Sequence, residues 1–503
     1  MVSCTEYQKL AVEARVPYCN TLGGGGCLAC KEDIELEQKM QELQERRREL
    51  RTTMNENHDP FILKLPPEVA SYIFLLSMGE RDTRAIAHWS GGLPTPFLLG
   101  AVCSGWRQLA RSTPALWTRL VFTLRNSKIM EALPGLVSDW LGRSGGLPLT
   151  LHISDGMFDD EPPLDRHGLV IDALNQHSGR WCDVEFNLTS DYLGRLCGSS
   201  PPEKIRELSI SVDVDQHNLP LTFRMNARPS PTIFKIWGFL LEGVDVAWDN
   251  LVHLDISCTT FDGVLQVIRD AALLEMCSLS TISPPIEGFR TPGIIIRHPY
   301  LRTLQLSFIE ETNVFQKIIN SLELPSLESW SIEAVESEEN VVDIMTSLLQ
   351  RSRCSLKTLN MVQDRAPAVE DFERFLQAVP CLQHLSVHFY NSATPVMDNI
   401  LERISESALL PIQTGPTSGF LSDLQSLQLT GHELSAWACI PLIFRLPHRK
   451  LLDLYISMHF VTIGDDVLGE LVQLVGQGIK LRIYDRANNR ARILSSHVGK
   501  ALQ

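Results

Sequence analysis

The chain has no excess of basic charge. Across 503 residues, 45 Lys and Arg stand against 60 Asp and Glu, a formal net charge of −15. A protein that holds nucleic acid by its phosphates shows the opposite sign, so no nucleic-acid partner is expected. No window holds the roughly 18 unbroken apolar residues that a membrane span requires. The opening stretch MVSCTEYQKLAVEARVPYCN has no apolar segment of the secretory kind. Twelve cysteines are too sparse for a disulfide-built scaffold. They are expected to be reduced and mostly buried as small apolar side chains. These absences predict a cytoplasmic or nuclear protein with no membrane partner, in which the sequon Asn187-Leu188-Thr189 goes unused.

Signatures of bond chemistry are missing as well. There is no phosphate-binding P-loop, no HExxH and no dinucleotide glycine fingerprint. Gly142-Arg143-Ser144-Gly145-Gly146 spells the GxSxG serine-hydrolase elbow, which needs a strand before the serine and a helix after it. Here Met130–Leu141 has helical spacing and Leu149, Leu151 and Ile153 alternate as a strand, so the order is reversed. Cys27-Leu28-Ala29-Cys30 is a lone CxxC pair without the second pair of a zinc site. A non-catalytic chain without metal or cofactor is expected.

What the chain does have is the ordinary composition of a folded protein, 44% hydrophobic and 21% charged. Its length suits two or three domains or one repeat array. Residues 1–30, with Cys4, Cys19 and the run Gly23–Gly26, read as a disordered tail. Residues 31–58 read as a charged helix. Leu36, Leu43 and Leu50 are spaced by heptads, Met40 and Met54 share the second seam, and Arg47 interrupts it. Weak dimerisation through residues 31–54 is one expectation; a single solvated helix is the other.

Residues 61–122 form a compact module. Pro66 and Pro67 open a helix, and Glu68 suits its positive end. Leu65, Val69, Tyr72, Ile73 and Leu76 then make one apolar stripe, with Phe74 and Leu75 outside it. A long loop spans Met78–Pro96. A second helix carries Leu99, Val102, Cys103, Trp106, Leu109 and Ala110 on one face. Thr113-Pro114 starts a short turn that buries Leu116 and Trp117.

LPPEV…IF, then VCSGWRQLA, then STPALW resembles an F-box of the F-box-like type common in mushroom-forming fungi. The resemblance is strongest over residues 36–124. It departs from compact F-boxes in the long Met78–Pro96 loop. The resemblance implies a three-helix domain that docks the Skp adaptor, and through it a cullin, in an SCF (Skp–cullin–F-box) ubiquitin ligase. Carried over by position, Leu65, Pro66, Ile73, Phe74, Val102, Trp106 and Trp117 would build or brace that surface.

Downstream, an LxxLxL-type signature recurs. Trp181-Val184-Phe186, Ile205-Leu208-Ile210, Leu251-Leu254-Ile256, Leu301-Leu304-Leu306, Leu327-Trp330-Ile332, Leu356-Leu359-Met361, Leu382-Leu385-Val387, Leu424-Leu427-Leu429 and Leu451-Leu454-Ile456 all fit it. Helical patterns such as Val264–Leu274, Val341–Leu349 and Phe372–Val379 fall between. The longest step, Leu382 to Leu424, contains a Pro/Thr/Ser/Gly-rich loop at Pro411–Gly419. One strand and one helix per unit predicts an α/β leucine-rich-repeat-like solenoid over residues 123–484, followed by a basic tail at 485–503. By strand alternation, Thr303, Gln305, Ser329, Ser331, Thr358, Asn360, His384, Ser386, His388, Ser426 and Gln428 should line its concave face. Two histidines there do not make a metal site. Ile318–Gln350 holds seven acids and no base, which reads as a solvated rim or as a field that steers a basic partner.

The fold class is therefore mixed: an N-terminal helix, a three-helix F-box, then an α/β solenoid. The expected function is the substrate-recognition subunit of an SCF-type ubiquitin ligase, holding an unknown protein target. The alternative is a non-ligase scaffold that uses its repeats for assembly.

Overall fold

The computed structural model describes residues 27–58, 60–78, 95–124, 132–155, 165–212, 222–284, 295–309, 313–335, 340–390, 394–407, 419–445, 447–487 and 490–494. Most of the 1–30 tail, most of the Met78–Pro96 loop, most of the Pro411–Gly419 loop and the end of the basic tail lie outside these residues. So do Glu336, Glu338 and Glu339 of the acidic run. The chain is mixed α/β, with an N-terminal helix and a long parallel sheet. It divides into two compact units. One holds the described residues up to Val121 with Asp139–Leu147; the other holds the described residues of Phe122–Ser138 and from Pro148 onward.

The first unit is helical. Its opening helix, Leu28–His58, begins three residues ahead of the expected boundary at residue 31. Pro60–Lys64 follows as a short helix of its own. Pro67–Ser77 starts at its proline, where a missing N–H leaves no hydrogen bond unmade, and Glu68 sits in the first turn. The single second helix expected through Cys103 is in fact two, Thr95–Val102 and Ser104–Arg111. Cys103 is extended (φ −155°, ψ 176°), and its sulfur accepts the Trp106 amide at 3.4 Å as the cap of the second piece. Capping by the side chain, rather than a break in apolar spacing, ends the first helix there. Pro114–Trp117 forms a 3₁₀ turn that buries Leu116 and Trp117.

Two aromatic clusters hold this unit together. Phe61, Phe74 and Trp106 lie with ring centres 4.8–5.4 Å apart. Phe97, Trp117 and Trp140 form the other, at 4.9–5.6 Å, with Arg143 over the Trp117 ring at 4.6 Å. The Trp117 indole N–H donates to the Ala110 carbonyl at 2.7 Å. Offset and edge-on aromatic pairs add about 0.5–1.5 kcal/mol each to the burial of their surfaces.

The sheet has fifteen strands: β1 (Arg119–Thr123), β2 (Leu149–Ser154), β3 (Trp181–Asn187), β4 (Glu207–Ser211), β5 (Ile233–Trp237), β6 (His253–Thr260), β7 (Met276–Ser283), β9 (Thr303–Ile309), β11 (Ser329–Val335), β12 (Thr358–Gln363), β13 (His384–Phe389), β14 (Ser426–Gly431), β15 (Asp453–Met458), β16 (Leu481–Asp485) and β17 (Arg490–Leu494). They neighbour one another in chain order. The two-residue strands β8 (Ile296–Arg297) and β10 (Leu322–Glu323) pair separately. From β2 to β16 every pairing is parallel. At β17 the chain turns back antiparallel, so part of the stretch expected to be a basic tail extends the sheet.

A parallel sheet needs its crossovers to cover an apolar face. Two rows of buried side chains provide that face. One runs Leu254, Cys277, Leu304, Trp330, Leu359, Leu385, Leu427, Leu454 and Leu481; the next runs Ile256, Leu279, Leu306, Ile332, Met361, Val387, Leu429, Ile456 and Ile483. Of the twelve sheet strands from β3 to β16, three escaped the repeat signature: β5, β7 and β16. Cys277 replaces the expected leucine in Leu274-Cys277-Leu279. The other two lack a leading leucine.

Val341–Ser352 is a crossover helix that buries one stripe, Val342, Met345, Leu348 and Leu349. Asn340 caps it, accepting from the Val342 amide at 3.1 Å. Arg351 at its far end donates to the carbonyls of Ile319 (2.7 Å) and Leu322 (2.9 Å) in the preceding repeat. Leu324 N–H donates to the Ser352 hydroxyl at 2.9 Å. Such bonds between repeats satisfy buried backbone groups that neighbouring helices leave open.

One device repeats without any sequence signal. Cys258 (φ 61°), Thr281 (φ 52°), Phe308 (φ 51°) and Ala334 (φ 46°) are left-handed. Each directly follows a rung in register, Ser257, Ser280, Ser307 and Glu333. The left-handed residue breaks the in–out alternation. Thr259, Ile282, Ile309 and Val335 therefore return to the buried face.

Candidate functional site

Two surfaces carry the candidate residues, one in each unit. The first is the outer face of helix Pro67–Ser77 with Thr95–Val102. Sequence periodicity marks Leu65, Val69, Tyr72, Ile73 and Leu76 as one apolar stripe, the usual sign of a core face. The structure turns that stripe to solvent. Tyr72 is 61% exposed, Leu76 65%, and Val69 and Ile73 are also exposed. The helix buries Ala70 and Phe74 instead. Phe74 sits between Phe61 and Trp106, which fixes the helix from behind. The Ser71 and Thr113 hydroxyls pair at 3.0 Å and tie the helix to the turn before Pro114.

The seven residues carried over from the resemblance divide by exposure. Pro66, Ile73 and Val102 are exposed, and Leu65 and Trp106 are half-buried. Phe74 and Trp117 are buried and can act only by bracing the others. Leu63, Val69, Tyr72, Leu76 and Leu98 of the same unit are also exposed and were not singled out from sequence as site residues. Their spacing was visible, but spacing alone does not tell an outward stripe from an inward one. Exposed apolar side chains gathered on one helix face are a mark of an interaction surface.

The second surface is the polar face of the sheet, opposite the leucine rows. Thr303, Ser329, Thr358, His384 and Ser426 stand in one cross-strand row. Gln305, Ser331, Asn360, Ser386 and Gln428 stand in the next, and His388 stands in a third between Val362 and the buried Thr430 and Ser457. The middle row continues to Tyr455 and Arg482, which the sequence reading did not pick out. Their signal was present, because Tyr455 occupies the between-leucine position of Leu454 and Ile456. Tyr455 and Tyr484 rings lie 5.1 Å apart, and Arg482 rests over Tyr455 at 5.4 Å while pairing with Asp453 at 2.7 Å.

The charge on this face is paired rung by rung at its other end. Asp183 meets Arg206 at 2.7 Å, Glu207 meets Lys235 at 2.6 Å, and Glu185 meets His152 at 2.8 Å. Exposed pairs of this kind contribute about 0–1 kcal/mol each, so their value lies in register more than in stability. The hydrogen bond from His152 holds the Glu185 carboxyl below its ordinary range. Burial, and then the nearby Arg486 charge, lower His388; its ring packs on Tyr390 at 4.3 Å. A cavity of about 460 Å³ opens at the start of β5 to β9, lined by His253, Glu275, Met276, Arg302 and Thr303 among others.

Of the acidic run, Glu323 pairs with Arg297 at 3.3 Å and Glu328 with Lys357 at 3.2 Å. Ser144 follows its helix, is buried, and donates its hydroxyl to the Leu141 carbonyl at 2.6 Å. Cys27 accepts the Cys30 amide at 3.4 Å, and Cys4 and Cys19 lie outside the described residues. Among the described residues no three His, Cys, Asp or Glu side chains gather as metal ligands, and no helix is long and apolar enough to cross a membrane. In comparison with known proteins, no family model and no curated protein matched the chain.

Proposed function

We propose that this chain is the substrate-recognition subunit of an SCF-type ubiquitin ligase. Residues 61–122 act as an F-box-like domain on the Skp adaptor, and residues 123–484 form a leucine-rich-repeat-like solenoid that holds a protein target on its polar strand face. The observation that carries the reading most is the outward apolar stripe of Val69, Tyr72, Ile73 and Leu76; Leu98 and Val102 of the same unit are exposed as well. A helix that turns its apolar stripe to water, while an aromatic cluster anchors its other side, has the form of a docking element. The motif resemblance names the adaptor. The ligase role is non-catalytic: ubiquitin transfer follows from holding target lysines near a loaded partner, so proximity is the contribution.

Co-purification tests this. Expressed with a Skp adaptor and a cullin, the intact chain should retain both through washing. Loss of both from a folded chain would overturn the proposal.

A further inference from the structure

The opening helix, Leu28–His58, presents a second exposed apolar seam. Leu36, Met40, Leu43, Leu50 and Met54 are between 50% and 69% exposed. They fall on two heptad positions. Leu36, Leu43 and Leu50 take one, and Met40, Arg47 and Met54 the other. An exposed seam of this periodicity fits another helix, and the charges beside it decide which helix and in which direction.

Acid and base are unevenly divided along the helix. Glu32, Asp33, Glu35 and Glu37 face only Lys31 and Lys39 in the first part, while Arg46, Arg47, Arg48 and Arg51 outnumber Glu42, Glu45 and Glu49 in the second. Two copies laid parallel would set flanking positions five residues apart against each other. Glu32 would then meet Glu37, and Arg46 would meet Arg51, both repulsive. Two copies laid antiparallel bring Glu37 against Arg51 twice, once at each end. The seam then stacks Leu36 on Met54 and Met40 on Leu50, and sets the aliphatic stem of Arg47 over Leu43. Arg46 meets its own counterpart at the centre, but it is exposed and already paired with Glu49 at 2.8 Å within its helix.

We propose that Leu28–His58 pairs antiparallel with the same helix of a second copy of this chain. The inference does not depend on adaptor binding. With fewer than three heptads and an arginine in the seam, the pair is a concentration-dependent contact.

Sedimentation of the full chain tests it. The mass should rise from 56.5 kDa toward twice that value at micromolar to tens of micromolar concentrations. Glu37→Arg and Arg51→Glu should each weaken self-association by about tenfold or more, since each places like charges at both ends. An equimolar mixture of the two variants should restore it, because every end contact is then again opposite in sign. Glu37→Arg would instead strengthen a parallel pair by relieving the contact with Glu32. A photo-crosslinking residue in place of Leu36 should capture the region of Met54 in the other copy. A chain that stays monomeric at about 100 micromolar with its helix intact, or a crosslink from position 36 to position 36, would overturn the proposal.

Discussion

Phe74 and Trp106 lie with ring centres 4.9 Å apart, and Phe74 is 1% exposed. Its chain neighbour Ile73 points the other way, into water. Two adjacent apolar residues of one helix thus have separate tasks, one holding the helix and the other presented by it. Phe74→Ala should destabilise the first unit by about 3–5 kcal/mol, the usual result of emptying a packed aromatic site. Ile73→Ser should leave stability nearly unchanged and weaken adaptor binding. Chemical unfolding followed by near-ultraviolet circular dichroism separates the two.

Trp117 gives a sharper test of the same unit. Its N–H is bonded to the Ala110 carbonyl at 2.7 Å in a buried setting. Trp117→Phe removes that donor and leaves the carbonyl the longer bond from the Thr113 amide at 3.4 Å. The expected loss is about 0.5–1.5 kcal/mol beyond any packing change, read as a lower midpoint of unfolding.

The left-handed row along β6, β7, β9 and β11 predicts a gain. A side chain with φ near +50° costs about 1–2 kcal/mol relative to the right-handed region, and glycine escapes this. Ala334, at φ 46°, has the smallest side chain of the four to lose. Ala334→Gly should therefore stabilise by roughly 0.5–1 kcal/mol after the added chain entropy of glycine. Ser331→Gly, at an ordinary rung of the same strand, should destabilise. Thermal melts of the two variants should move in opposite directions.

His388 provides a pH test. Burial and the Arg486 charge lower its proton affinity in the folded chain. Between its folded value and the ordinary 6.5, the unfolded chain binds more protons. Its contribution is therefore complete above pH 6.5 and falls as the pH drops toward the folded value. Proton resonance titration of His388 should give a midpoint below 6.5, and Arg486→Gln should raise that midpoint without restoring it fully.

Much of the sheet was legible because leucine recurs at alternate positions that all face one layer of helices. The same period placed Thr303, Gln305, Asn360 and Gln428 on the opposite face. Where a row was filled by Cys277, or by Phe234 after a proline-rich lead-in, the pattern lost its leucines and the strand was missed. Cys258, Thr281, Phe308 and Ala334 share a backbone conformation but no side-chain chemistry, so nothing in their identities announces it. The break at Cys103 was hidden for a similar reason, since its cap depends on a thiol accepting an amide. Direction was the hardest feature to read. Ile73 and Phe74 are both apolar, and only the position of Phe61 and Trp106 decides which is inside.

Direct binding between the purified chain and a purified Skp adaptor tests the central claim most directly. Titration calorimetry should show saturable binding that Ile73→Ser with Leu76→Ser abolishes and that Leu43→Ser, on the opening helix, leaves unchanged. A folded chain that gives no heat with the adaptor, or one whose binding survives the paired substitution, would contradict the account.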